Sequence, residues 1–378
     1  MKIIIAVDSF KGSISTVIAA ETIKKGIEKV FPQADIVKIP MADGGEGTVD
    51  ALVIGTGGIK KQVEVTGPLG EKIISEYGII NKDVAVIEMA AASGLPLVPE
   101  NRRNPLVTTS YGTGELIKAA LEEGCRKIIM GVGGSATNDG GVGMAQALGM
   151  SFKDNSNCEI AYGGGALSNI DSIDSKALDE RLKECELIIA SDVTNTLCGD
   201  EGASAIYGPQ KGATKEMIII LDNNLRHLAQ KIKDDCNKDV LNIQGCGAAG
   251  GLPTLLLSYA NVTLKAGIEI VLDTINFEEY LLNADLVITG EGRIDKQSVY
   301  GKVPVGVAKK AKKYNIPVLA IVGGIGEGAS AVYEHGVDSI MSIVNRPMSL
   351  SEAMENSTEL LEDVTERIMR NIKINVSY

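Results

Sequence analysis

Several short stretches of this chain mix glycine with groups that handle anions: DSFKGS (8–13), DGGEGT (43–48), GGSATNDGG (133–141), SDVTN (191–195) and GEGRID (290–295). Each is expected to follow a strand directly. In an open parallel sheet, ligands collect at the carboxyl ends of strands, where helix N-termini present unpaired N–H groups. Lys11, Lys211, Arg293 and Lys302 lie in or beside glycine-bearing segments, with Asp8, Asp43, Asp139, Asp192 and Asp295 among them. Cations that neutralise phosphoryl oxygens, carboxylates that hold Mg²⁺ and one carboxylate that accepts a hydroxyl proton are the parts that phosphoryl transfer requires. Any one of these residues serves equally well as a cap or an ion pair, so the set carries the reading.

The densest stretch is GVGGSATNDGG (131–141), although an interior glycine costs about 0.5–1 kcal/mol relative to alanine. After a buried strand, such a run lets main-chain N–H groups curl round a phosphate, with the next helix adding its positive end. A structural turn capped by Ser135, Thr137 or Asn138 suits the same residues. GVGGSA also fits the dinucleotide pattern G-x-G-x-x-A, and GCGAAG (245–250) fits G-x-G-x-x-G, which makes an NAD-dependent hydroxy-acid dehydrogenase the competing reading. GCGAAG follows no clear strand, however, and Asp154, at about the right distance for a ribose, lies in a polar loop. There is no G-x-x-x-x-G-K-[ST] and no G-x-S-x-G. The two histidines, His227 in an amphipathic helical stretch and His335 near a helix end, read as structural or surface residues, which leaves acid–base work to carboxylates or lysines.

The elements that must position these groups follow from hydrophobic periodicity. KIIIAVDSF opens as a buried strand, and residues 16–31 then show helical spacing. The alternation recurs through GELIKAALEEG and RKIIMGVGG, ELIIASDV, ADLVITGEG and VPVGVAKKAKKY, and IPVLAIVGG with GASAVYEHG. Repeated β-α units imply an α/β fold: a doubly wound, mostly parallel, Rossmann-like sheet domain. Residues 60–90 offer three strand-like runs with no helix between them, which suits antiparallel hairpins. Residues 196–275 are glycine-rich around one helix. Both stretches are read as a second, inserted α/β domain (61–105 and 196–279) within a discontinuous first domain (1–60, 106–195 and 280–378).

Composition narrows the function. With 49 acidic against 37 basic residues, a net charge of −12, no tryptophan and 4% aromatic content, the chain lacks the basic, ring-bearing face of a nucleic-acid binder. No apolar run approaches the roughly 20 residues that cross a bilayer, and Asp8 interrupts the N-terminal run too early for a signal-peptide core, so a cytoplasmic protein without membrane partners is expected. The six cysteines form no Cys-x-x-Cys pair and read as reduced thiols. A homo-oligomer is compatible with the sequence.

AVDSFKGSIS, ADGGEGT, EMAAASGL, TSYGTGELI, GGSATNDGGVGMAQALG, SDVTN, YGPQKGA, GAAGGL and ADLVITGEGRIDKQSVYGKVPVGVA together resemble, in order, the motif series of the bacterial type I glycerate kinases. The resemblance runs from residue 5 to about 308, and departs from the family pattern at Thr196, where proline is expected, and at Ser298, where threonine is expected. It implies two unlike α/β domains and phosphorylation of glycerate by ATP with Mg²⁺, with 2-phosphoglycerate favoured over 3-phosphoglycerate. On that basis ATP is expected over Gly133, Gly134, Ser135 and Asn138, with Lys11 on the transferring group. Arg293 is expected on the glycerate carboxylate, Asp192 on the attacking hydroxyl, and Asp43 or Asp295 on the metal.

Overall fold

The computed structural model describes residues 1–299 and 301–376. In chain order the strands are β1 (Lys2–Val7), β2 (Asp35–Lys38), β3 (Ile59–Thr66), β4 (Lys72–Ile80), β5 (Val84–Glu88), β6 (Lys127–Gly131), β7 (Ser151–Lys153), β8 (Ser172–Asp174), β9 (Glu186–Ala190), β10 (Asn261–Lys265), β11 (Leu286–Ile294), β12 (Val318–Ile325) and β13 (Ser339–Ser342). The chain divides into two compact units. One comprises Met1–Asp43, Asp50–Gly57 and the chain from Ala266 onward; the other comprises Gly44–Val49 and Gly58–Lys265.

The first unit is built on a sheet of order β13-β12-β11-β1-β2 in which every pairing is parallel. Ile3, Ile5 and Val7 of β1 enter a core with Ile23 and Ile27 of the helix Thr16–Glu28 and with Leu361 and Val364 of the helix Ser357–Val376. Ile4 and Ala6 point the other way and are equally buried, so both faces of the strand are covered, as its continuous apolar run demands. Ser15 caps the first helix by accepting the N–H of Ile18. Thr16 Oγ1 donates to the Val7 carbonyl at 2.6 Å and accepts the Met41 N–H at 3.3 Å, which ties the end of β1 to the chain leading to Asp43.

The second unit carries a mixed sheet of order β10-β9-β6-β5-β4-β3. The run over 60–90 forms the antiparallel strands β3, β4 and β5, as periodicity predicts. β5 then pairs in parallel with β6, from Val84 opposite Lys127 to Glu88 opposite Gly131. This pairing corrects the expected domain division. Residues 106–195 join the hairpins in the second unit, because a hairpin's outer strand can extend a parallel sheet and local periodicity carries no record of that partner. The helix Gly267–Thr274, expected in the insertion, belongs to the first unit. GASAVYEHG, expected as an α-helix, forms the 3₁₀ segment Ala329–His335. Among the described residues, no helix is long and apolar enough to cross a membrane.

Candidate active site

In the first unit, the ends of β1, β11 and β12 surround a pocket of about 630 Å³. Its charged end is lined by Asp8, Lys11, Glu291, Arg293 and Lys302. Asp8 follows β1 directly and accepts the Ser9 N–H at 2.6 Å. Lys11 sits in a tight turn closed by Phe10 N–H to the Ile14 carbonyl at 2.9 Å. Gly12 supplies the positive φ (+77°) that this turn needs, and a Cβ there would come within 3.1 Å of the Met354 methyl.

Charge is out of balance here. Lys11 Nζ lies 3.4 Å from Asp43 Oδ2, and Lys302 Nζ lies 3.7 Å from Glu291 Oε2. Burial, and then the Asp43 carboxylate, push the Asp8 carboxyl up to about 7, with Lys11 pulling the other way. Burial also raises Glu291, against the pull of Lys302 and of the Ser298 hydroxyl that donates to it at 2.8 Å. Lys11 rises instead, because Asp43 and Asp8 outweigh its own burial. Titratable groups perturbed by burial and by one another in a cleft are the electrostatic mark of a functional site.

The stretch expected as a loop after β11 is still strand: Glu291 pairs with Val322, Arg293 with Gly324 and Ile294 with Ile325. Alternation therefore sends Glu291 and Arg293 to one face, and both line the pocket. Glu291 does not stand out within GEGRID; only extending the period of LVITGEGRI by two residues reveals its face. Arg293 is 70% exposed, with Nε 3.6 Å from Asp295 Oδ2. Asp295 Oδ1 accepts the Gln297 N–H at 2.9 Å, so this carboxylate shapes a turn and faces Arg293.

The GGSATNDGG loop lies in the second unit, after β6, and its chemistry differs. Asp139 is buried, yet it accepts the Ser110 N–H and hydroxyl, both at 2.8 Å, and the N–H groups of Gly141 at 3.2 Å and Gly143 at 3.4 Å. Burial raises its carboxyl in spite of these bonds. Lys211, 1% exposed, donates to the Thr137 carbonyl at 2.7 Å, and burial, partly opposed by Asp139, lowers it to about 7. Asn138, fully buried, donates through Nδ2 to Ser204 Oγ at 3.0 Å. Ser135 is also buried, in a bridge to Gly94, whereas Gly133 and Gly134 are exposed.

The GCGAAG stretch packs main chain to main chain against this loop. A Cβ on Gly250 would fall 2.1 Å from the Thr137 carbonyl oxygen, and the Gly250 carbonyl accepts the Gly140 N–H at 3.0 Å. Asp192, half-buried, follows β9. Thus the structure groups Lys11, Asp43, Arg293 and Asp295 in one unit, and Gly133, Gly134, Ser135, Asn138 and Asp192 in the other. No cluster of three or more His, Cys, Asp or Glu side chains suited to a metal ion occurs among the described residues.

The parallel sheet of the first unit and the perturbed, mixed charge of its pocket are the marks of an enzyme's site. Comparison with known proteins narrows that class: residues 3–373 match the model of the glycerate kinase family, and the chain belongs to that family. It is a kinase, which sets aside the dehydrogenase reading. Glycerate kinase of Bacillus subtilis is 52% identical over 375 residues, covering 99% of this chain and 98% of the relative. Glycerate 2-kinase of Escherichia coli is 50% identical over 377 residues, covering 100% and 99%. The crystal structure of a putative glycerate kinase 2 from Salmonella typhimurium superimposes with a TM-score of 0.88 at 48% identity, covering all of both chains.

Proposed function

We propose that the protein transfers the γ-phosphoryl group of ATP to the 2-hydroxyl of D-glycerate, giving 2-phosphoglycerate and ADP. The observation that carries this reading is the surplus of buried carboxylate around Lys11, a charge pattern that suits a cation and a phosphoryl group together; the likeness to a glycerate 2-kinase favours the 2-position. In the reaction the hydroxyl oxygen forms a bond to γ-phosphorus, the bond from γ-phosphorus to the bridging oxygen breaks, and the hydroxyl proton leaves.

Lys11 is assigned to the oxygens of the transferring group, where a fixed cation is most effective as charge is redistributed. Arg293 is assigned to the glycerate carboxylate: its planar fork holds two oxygens at once, and Asp295 beside it limits its orientation. Mg²⁺ fits this donor set. Magnesium in kinases is held by one or two carboxylates and the substrate phosphates rather than by an all-protein cage, and the mutual repulsion of Asp8 and Asp43 is what a cation relieves. Asp43 is therefore assigned to the metal in preference to Asp295, because it is Asp43 whose carboxylate raises the buried Asp8. When bound, the ion neutralises charge on the β- and γ-phosphate oxygens.

The assignments in the second unit stand separately. Asp192, at the carboxyl end of a parallel strand, is assigned the hydroxyl proton. Gly133 and Gly134 keep the assignment to phosphate, because their main chain is exposed, while Ser135 and Asn138 hold the loop from within. ADP release from Mg-ATP, followed with D-glycerate, L-glycerate or no acceptor, tests the reading. It predicts release dependent on D-glycerate, with the product's phosphorus coupled to the C2 proton by NMR. Release indifferent to glycerate would overturn it, and phosphorus on the C3 oxygen would overturn the position.

A further inference from the structure

The pocket of the first unit is far larger than a three-carbon acid fills. At about 630 Å³ it lies in the size range of sites for drug-sized ligands. Only one end is charged. The rest is walled by Phe10, Ile343, Val344, Met348, Ala353 and Met354, contributed by the Lys11 turn, the chain after β13 and the helix Leu350–Glu355. Val344 is 40% exposed, and Leu350, at 77%, stands on the same pocket, as does the exposed Ile325. Neighbouring exposed aliphatic side chains around a concave surface mark a site for an apolar group.

The two ends are joined. Ser13 donates to the Met354 carbonyl at 3.0 Å and to Ser357 Oγ at 2.6 Å, which fastens the apolar wall to the turn that carries Lys11. Ser349, on the same wall, caps its helix by accepting the Glu352 N–H at 3.2 Å. A ligand with a negative end and a flat, weakly polar end matches this pocket. Resting on the reading above that the enzyme uses ATP, we propose that the apolar arm holds the base of the nucleoside triphosphate by shape and dispersion, without side-chain readout of its edge. Met348 and Met354 suit this role, because thioether side chains adapt to flat groups of different outline. The enzyme then accepts purine triphosphates almost interchangeably.

Steady-state kinetics on the full chain test this. For the wild type, KM for ATP and KM for GTP are expected within about tenfold, since an apolar pocket discriminates weakly, whereas a hydrogen-bonded site rejects a wrong partner by about 10⁴-fold. Adenosine is expected to compete with ATP and not with glycerate. Ala353→Phe fills the arm and is expected to raise KM for ATP by about tenfold, the scale of one lost apolar side-chain contact, while KM for glycerate stays within about twofold. Val344→Gln, at an exposed position that does not threaten folding, is expected to act in the same direction by about threefold. GTP rejected by about 10³-fold or more, adenosine that fails to compete, or a rise in the KM of glycerate instead of ATP would each overturn the proposal. A wild-type enzyme that turns over with glycerate, and two folded variants with unaltered KM for ATP, would defeat the base site alone; no glycerate-dependent turnover in the wild type would defeat the functional reading on which it rests.

Discussion

Two regions of this molecule are made from the same ingredients, glycine, aspartate and lysine, and they meet their buried charges in different ways. Around Asp139 and Lys211 nearly every charge is met: four donors converge on the carboxylate, and the ammonium group has a carbonyl at 2.7 Å. Around Asp8 and Lys11 charge stands beside charge: burial drives Asp8 and Glu291 toward protonation, as it does Asp139, but at Asp8 the Asp43 carboxylate adds to the push. A buried carboxylate held by donors of its own loop helps to specify a fold, although Thr137 Oγ1 and Asn138 Oδ1 of that loop lie buried without a hydrogen-bond partner among the described residues. A carboxylate left in imbalance beside a pocket awaits a ligand. The glycine-rich loop is thus the more conspicuous in sequence, and the pocket at Lys11 the better supported as chemistry.

The contrast can be broken at several points. Replacing the cation of the first region, by Lys11→Met, is expected to cost about 10³-fold in kcat, the upper scale for one lost electrostatic stabiliser, with the melting temperature nearly unchanged. The corresponding cut in the second region, Asp139→Ala, strands buried N–H groups of Ser110, Gly141 and Gly143, and is expected to cost about 3 kcal/mol in denaturant unfolding. If Asp139→Ala left stability intact, the four bonds to its carboxylate would not be what holds the loop. Asp192→Asn sharpens the comparison from a third position: kcat should fall by about 10²-fold if it takes the hydroxyl proton, and an unchanged kcat would remove that role.

The smallest effect is in pH. Burial lowers Lys211 from 10.5 to about 7 in the folded protein. Above pH 7 the unfolded chain therefore binds more protons than the folded one, and stability rises with pH across that window. The gain expected between pH 7 and 8 is about 1 kcal/mol, and Lys211→Met should abolish it. Chemical denaturation at the two pH values, in wild type and variant, measures the difference.

Much of this was legible in the residues. Buried runs separated by helical spacing fixed β1, β11 and β12 with their intervening helices, and the runs over 60–90 announced the hairpins. What escaped was partnership at long range. Nothing local in VAVIE says that β5 pairs with β6, so periodicity alone groups residues 106–195 with the first unit, whereas the fold groups them with the hairpins. The candidate site divides in the same manner. Asp8, Lys11, Asp43 and Arg293 stand out by type and position, but Glu291 was hidden because the strand continues through its glycines. Asn138 looks in sequence like a ligand-facing residue; only the fold encloses it against Ser204.

Calorimetric titration of a non-hydrolysable ATP analogue that keeps the γ-phosphate, with Mg²⁺, into the wild type and into Lys11→Met tests whether the imbalanced charges of the first unit exist to bind phosphate. Saturable binding by the wild type and a weakening of about tenfold or more in the variant, the scale of one charge-assisted contact, is the predicted result. Equal affinity in the two proteins would contradict it.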